Sequence, residues 1–196
     1  MRIAVASFKG GVGKTTTAVH LAGYLQRKAP TILIDGDANR SAAGWAARGS
    51  LPFPIVEYQD VTRSTGAGYS HVVIDAEARP ADEDMAQLAG CDLVIVPTTP
   101  DILGLSALTA TVAALAALGA EHRVLLTIVP SWPSHDGDEA RAYLHEQKIP
   151  TFKGSIRRAV ALQKAALAGV LVHDVDDPRA ALVGDDYTAI GREILK

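Results

Sequence analysis

Phe8-Lys9-Gly10-Gly11-Val12-Gly13-Lys14-Thr15-Thr16 directly follows the apolar run Ile3-Ala4-Val5-Ala6 and leads into a helical pattern. A glycine-rich turn between a strand and a helix lets successive backbone N–H groups point inward around a phosphate. Gly10, Gly11 and Gly13 carry no Cβ, so the backbone here can come close to phosphate oxygens. Lys14 supplies a point charge to the β- and γ-phosphates, and the Thr15 hydroxyl is placed to ligate Mg2+ directly. The nucleotide-binding stretch read from this pattern runs through Gly10, Gly11, Val12, Gly13, Lys14, Thr15 and Thr16, a cradle for nucleotide phosphates and Mg2+.

Working outward, strand-like runs alternate with helical patterns. Residues 2–7 read as a first strand and 31–34 as a second ending on Asp35. Ile55-Val56 is a short third, 71–74 a fourth ending on Asp75, and 93–96 a fifth. A long uncharged helix to about Ala120 follows, then a strand from Val124 to Val129, a polar helix near 138–147 and a C-terminal helical portion. Continuous rather than alternating apolar strands between helices predict an α/β fold. The expected architecture is a mostly parallel central sheet with helices on both faces, like that of P-loop NTPases. With 196 residues, 48% of them hydrophobic, residues 1–196 read as a single domain around one well-buried core.

The polar residues fall in a pattern of their own. The glycine loop, Asp35 and Asp37, Asp75, and Pro97-Thr98-Thr99-Pro100 each follow the carboxyl end of a predicted strand. In an open parallel sheet those ends share one edge, and ligands bind there. Asp35 lies nearest the sheet and suits a water of the Mg2+ shell. Asp37 lies further out, where it can orient an attacking water and accept its proton. Asp37 also stands ahead of a helix expected over 39–47, which suits it equally to a helix cap. Asp75, ending Val72-Val73-Ile74, is placed to hold Mg2+ through water, or to close a strand on a turn.

The loop lacks the glycine of the generic phosphate-binding pattern at Phe8 and opens instead on a second lysine. Lys9-Gly10-Gly11-Val12-Gly13-Lys14-Thr15 resembles the deviant Walker A motif of the ParA/MinD superfamily of ATPases. The resemblance implies an ATP-sandwich homodimer in which Lys9 reaches the partner's phosphates, with Lys9, Lys14 and Asp37 as the catalytic residues. Asp35-Gly36-Asp37 resembles the family's Asp-x-Asp-Pro-Gln segment, with Ala38-Asn39 in place of Pro-Gln, and Asp75 resembles the Walker B aspartate, followed by Ala76-Glu77-Ala78-Arg79-Pro80 where Asp-x-Pro-Pro is usual. The helix after Pro100 resembles the family's dimer-face helix. After the strand ending at Val129 stands Pro130-Ser131, where relatives often carry an adenine-contacting Asn, so base recognition stays open. One cysteine, Cys91, excludes the bridging cluster of the nitrogenase iron-protein branch and suits a reducing cytoplasm.

The net charge of −3 announces no polyanionic partner globally. Locally, residues 141–168 hold six Lys or Arg residues against Glu146 alone, and residues 174–186 are acidic. ParA-type proteins bind DNA nonspecifically from this region, and the segment from Ile156 to Val170 resembles theirs. Lys153, Arg157, Arg158 and Lys164 are therefore the candidate DNA contacts, Arg158 the best match. MinD-type proteins end in a membrane-binding helix. Here Tyr187–Lys196 is short, poor in basic residues and interrupted by Gly191, so no membrane partner is expected. The chain begins on its first strand, with no leader and no preceding DNA-binding domain expected. Trp45 and Trp132 read as packing residues, Cys91 as a core residue, and the six histidines as surface or helix residues.

These readings imply a cytoplasmic, nucleoid-associated ATPase that segregates a plasmid or chromosome with a small adaptor protein that binds the centromere. One alternative is positioning of a protein assembly, such as a chemoreceptor cluster or microcompartment. An alternative of another class is a metabolic ATP-dependent ligase of the dethiobiotin-synthetase type.

Overall fold

The structure is a computed structural model that describes residues 1–57, 68–77 and 87–196. Six strands form one sheet, β1 (Arg2–Val5), β2 (Thr31–Asp35), β3 (Ile55–Glu57), β4 (His71–Asp75), β5 (Leu93–Thr98) and β6 (His122–Leu126), in the order β3-β2-β4-β1-β5-β6. Every pairing is parallel. The helices among the described residues include α1 (Lys14–Gln26), α2 (Ser41–Ala46), α3 (Ile102–Ala117), α4 (Asp136–Glu146), α5 (Val160–Ala168) and α6 (Ala180–Ile194), with a 3-10 turn at Val172–Asp174.

Alternation along each strand builds two cores. Ile3, Val5, Leu33, Val73, Ile95 and Leu125 face the layer of α1, α2, α5 and α6. Ala4, Ile34, Ile74, Val94, Val96 and Leu126 face α3 and α4, where Cys91 is buried as expected. An apolar run with no polar alternate positions is what a sheet covered on both sides requires.

Some details depart from the sequence reading. The last strand spans His122–Leu126 rather than 124–129, because Thr127 turns to other partners and Ile128 takes a left-handed backbone (φ 54). Trp132 is 85% exposed and does not pack, whereas Trp45 is buried. Gly191 does not interrupt the C-terminal helix: α6 runs through it, and the missing Cβ makes room for the Tyr24 ring. The long uncharged segment forms a 16-residue helix that buries Gly104, Leu108, Thr111 and Leu115 on one side. Among the described residues no helix is long and apolar enough to cross a membrane.

Candidate functional site

Strand register brings the polar residues to one edge. Val5 lies beside Asp75, and Asp75 beside Asp35, so the glycine loop and both strand-terminal aspartates leave adjacent strands at one level. Gly13 takes φ 85 and Gly11 φ 76, left-handed values that fold the loop back over the sheet edge and that residues with a Cβ adopt at a cost. α1 then starts at Lys14 with no side-chain cap and no acid in its first turn. Its first N–H groups and the positive end of its dipole are thus left to a ligand. The loop borders a cleft of about 690 Å³ lined also by Asp37, Asn39, Ser41, Thr127 and Ile156 to Ala159.

The loop is held from outside by groups far away in sequence. The Phe8 N–H donates to the Thr111 hydroxyl of α3 at 3.2 Å, and Lys9 pairs with Asp101 at 3.5 Å. The buried Thr127 hydroxyl lies 2.8 Å from the Val12 carbonyl and 3.1 Å from that of Thr98, joining loop to sheet. No sequence motif singles out Thr127. Its only signal is a polar residue at the end of a strand.

The charges are set for a polyanion. Burial lowers the Lys14 pKa, opposed by Asp75 and Asp37, and its ammonium lies 3.5 Å from the Lys9 carbonyl. Burial pushes the Asp75 carboxyl up to about 7. Neither Asp75 oxygen has a hydrogen-bond partner among the described residues. A buried carboxylate left this way is costly unless a cation or donor meets it. That orphaned group, the open helix start and the Thr15 hydroxyl fit a magnesium ion that arrives with nucleotide phosphates. No cluster of three His, Cys, Asp or Glu side chains among the described residues holds a metal by itself. Mg2+ commonly relies on one or two protein groups plus phosphate and water, which suits this donor set. Thr15 would hold the ion directly, with Asp75 and Asp35 through water, and the ion would neutralise charge on the phosphates.

Asp35 also ties α2 to the sheet edge. One of its oxygens accepts the Ala43 N–H of α2 at 2.8 Å, and the other accepts the Asp37 N–H at 3.2 Å. The capping considered for Asp37 thus falls to Asp35, because Arg40 takes a left-handed backbone and delays the helix to Ser41. Asp37 instead accepts from the Asn39 N–H and side-chain amide at 3.2 Å each and from the Ser41 hydroxyl at 3.0 Å. Asp37, Asn39 and Ser41 all line the cleft.

The candidate DNA residues do not stand alike. Arg157 makes a two-pronged pair with Asp186 at 2.7 Å on each prong, and Lys164 pairs with Asp177 at 2.8 Å. Lys153 and Arg158 make no ion pair among the described residues. The acidic segment therefore offsets half of the four cations proposed for phosphate. Of the departure after Asp75, residues 78–80 lie outside the described residues.

With this geometry in view, comparison with known proteins defines the class. Residues 3–182 match the model of the CobQ/CobB/MinD/ParA nucleotide binding domain, and the chain belongs to that family. It is 38% identical over 204 residues to the maintenance of carboxysome distribution protein A of Gloeobacter kilaueensis, covering 98% of this chain and 93% of the relative. It is 33% identical to the Protein ParA of Rhizobium radiobacter over 75% of this chain and 73% of the relative. Its fold is that of apo McdA from Cyanothece (TM-score 0.78, 18% identity, 100% and 99% of the two chains covered). The MinD cell division protein of Aquifex aeolicus is similar to the same degree (TM-score 0.79, 16% identity, 99% and 96% covered). The chain is a nucleotide-binding ATPase of the ParA/MinD type.

Proposed function

We propose that two copies of this chain pair around ATP and Mg2+, bind DNA without sequence preference in that state, and position a protein assembly over the nucleoid. The observation that carries the reading is the convergence of the Lys9–Thr16 loop, Asp37 and the unpartnered Asp75 on one sheet edge. In this reading Lys14 neutralises phosphate charge within its own protomer, and Lys9 leaves Asp101 for the phosphate of the partner. Asp37 exchanges Ser41 and Asn39 for the attacking water and takes its proton. A small adaptor protein stimulates the slow hydrolysis, and the protein works in the cytoplasm.

The cargo in this reading follows a relative aligned nearly end to end, the maintenance of carboxysome distribution protein A. A second reading, segregation of a plasmid or chromosome with a centromere-binding adaptor, is favoured by the likeness to Protein ParA. Both share the DNA step, which anisotropy of a labelled random duplex measures directly. With ATP and Mg2+ the protein binds at low salt, and binding is lost without nucleotide. Two protomers bring Lys153 and Arg158 twice, so log K falls against log salt with a slope of roughly −3 to −4, at about 0.9 per phosphate contacted. Arg158→Glu weakens binding to all sequences alike, since phosphate contacts do not read bases. No binding at low salt with ATP and Mg2+ contradicts the proposal.

A further inference from the structure

The loop that carries Asp37 continues into α2, and α2 is fastened to α5 at its far end. Three contacts make the fastening. The Trp45 indole N–H donates to the Val170 carbonyl at 3.0 Å. The Arg48 Nε–H donates to the Ala166 carbonyl at 2.8 Å. Gly49 lies so close to Gly169 that a Cβ on either would run into the main chain of the other. Ala166 is in the last turn of α5, where carbonyls lack helical partners and the dipole is negative. A guanidinium there satisfies one of those carbonyls and meets the favourable end of the helix.

The other end of α2 is equally fixed. Asp35 accepts from Ala43 and Asp37 accepts from Ser41, while at the far end the buried Trp45 ring also packs edge-to-face with His20, ring centres 5.7 Å apart. A six-residue helix tied at both ends moves as one body, since it has no internal turn that can yield independently. Beyond it, Arg158 precedes α5 by two residues, its N–H bound to the Val129 carbonyl at 2.8 Å.

We propose that Arg48 is a positioning residue that makes α2 a rigid link between Asp37 and α5. Displacement of the Asp37 loop by nucleotide is then carried to the segment that presents Arg158. Without the Arg48 bond, the same displacement is taken up between α2 and α5. The inference rests on the ATP-gated DNA binding proposed above and adds the route by which the gate acts.

The test compares the parent protein with Arg48→Ala and Arg48→Lys. ATP affinity is measured by calorimetry and random-duplex affinity by anisotropy, with and without ATP and Mg2+. Arg48 also lines the cleft beside the loop, so the proteins are compared at ATP concentrations that saturate each of them. The link predicts that in Arg48→Ala the ATP-dependent gain in DNA affinity shrinks about fivefold or more, the lower end of ordinary coupling between sites. Arg48→Lys, which keeps a donor within reach of the Ala166 carbonyl, recovers part of the gain. An unchanged gain in Arg48→Ala overturns the link and leaves the functional reading standing. Loss of ATP binding in Arg48→Ala also overturns it, by placing the residue's effect at the nucleotide itself. If the parent shows no ATP-dependent gain, the functional reading falls and takes the link with it.

Discussion

Lys14 sits where burial and carboxylates pull in opposite directions, held charged for a phosphate by Asp75 and Asp37. Each hydrogen bond to a charged group is worth about 1.5–3 kcal/mol, so Lys14→Ala weakens ATP binding by roughly 10- to 100-fold. Titration calorimetry on a variant with parental circular dichroism checks this, and an unchanged affinity would remove Lys14 from the site. The lysine, the glycines and Thr15 are legible in the sequence because they are consecutive and their spacing is set by one turn. Thr127 is not, because its bond to Val12 joins residues 115 apart. The division of labour between Asp35 and Asp37 was also hidden, since it depends on the left-handed backbone of Arg40, which no pattern of residue types announces.

Strands and helices were more readable than their ends. The apolar run Leu93–Val96 predicts a strand wherever it lies, but its extension through Thr98 depends on pairing with Leu126. Asp101 starts α3 by accepting the Gly104 N–H at 2.9 Å. Asp101→Ala therefore costs about 1 kcal/mol in urea denaturation, nearly all of it from the lost cap, because an exposed pair such as Lys9–Asp101 adds little. An Asp101→Ala protein as stable as the parent would show the cap to be idle. Within α1, the sequence marks His20 only as one of six scattered histidines. It proves to be buried, stacked on Tyr187 with ring centres 4.6 Å apart, its Nδ1 2.7 Å from the Thr16 carbonyl and its Nε2 accepting the Val172 N–H. Burial lowers its pKa to about 4. Between that value and the ordinary one near ~6.5 the unfolded chain holds a proton that the native chain refuses. Stability from this source is complete above the ordinary value and is lost as pH falls toward the native one, on the order of 3 kcal/mol in total. His20→Gln flattens this part of the acid sensitivity, read as the difference in urea midpoint between neutral and mildly acidic buffer. An identical pH response in parent and variant would assign the acid sensitivity to other groups.

At the scale of the molecule, charge is arranged by folding rather than by composition. The basic segment reads as strongly positive along the chain, yet Asp177 and Asp186 of the acidic segment fold onto Lys164 and Arg157. The charge order along the chain does not show this, because the two segments meet only when α6 and the turn before it pack beside α5. What remains for a polyanion is small on one protomer, which is why the account needs two. In the proposed function ATP joins the two protomers. Light scattering of Asp37→Ala with ATP and Mg2+ decides this, because removing the proposed proton acceptor is expected to slow hydrolysis by about 10²-fold or more and to let the ATP-bound form accumulate. The account predicts twice the monomer mass with ATP, the monomer mass with ADP, and a weakened dimer when Lys9→Ala is added. A folded Asp37→Ala protein that binds ATP and stays monomeric would contradict it.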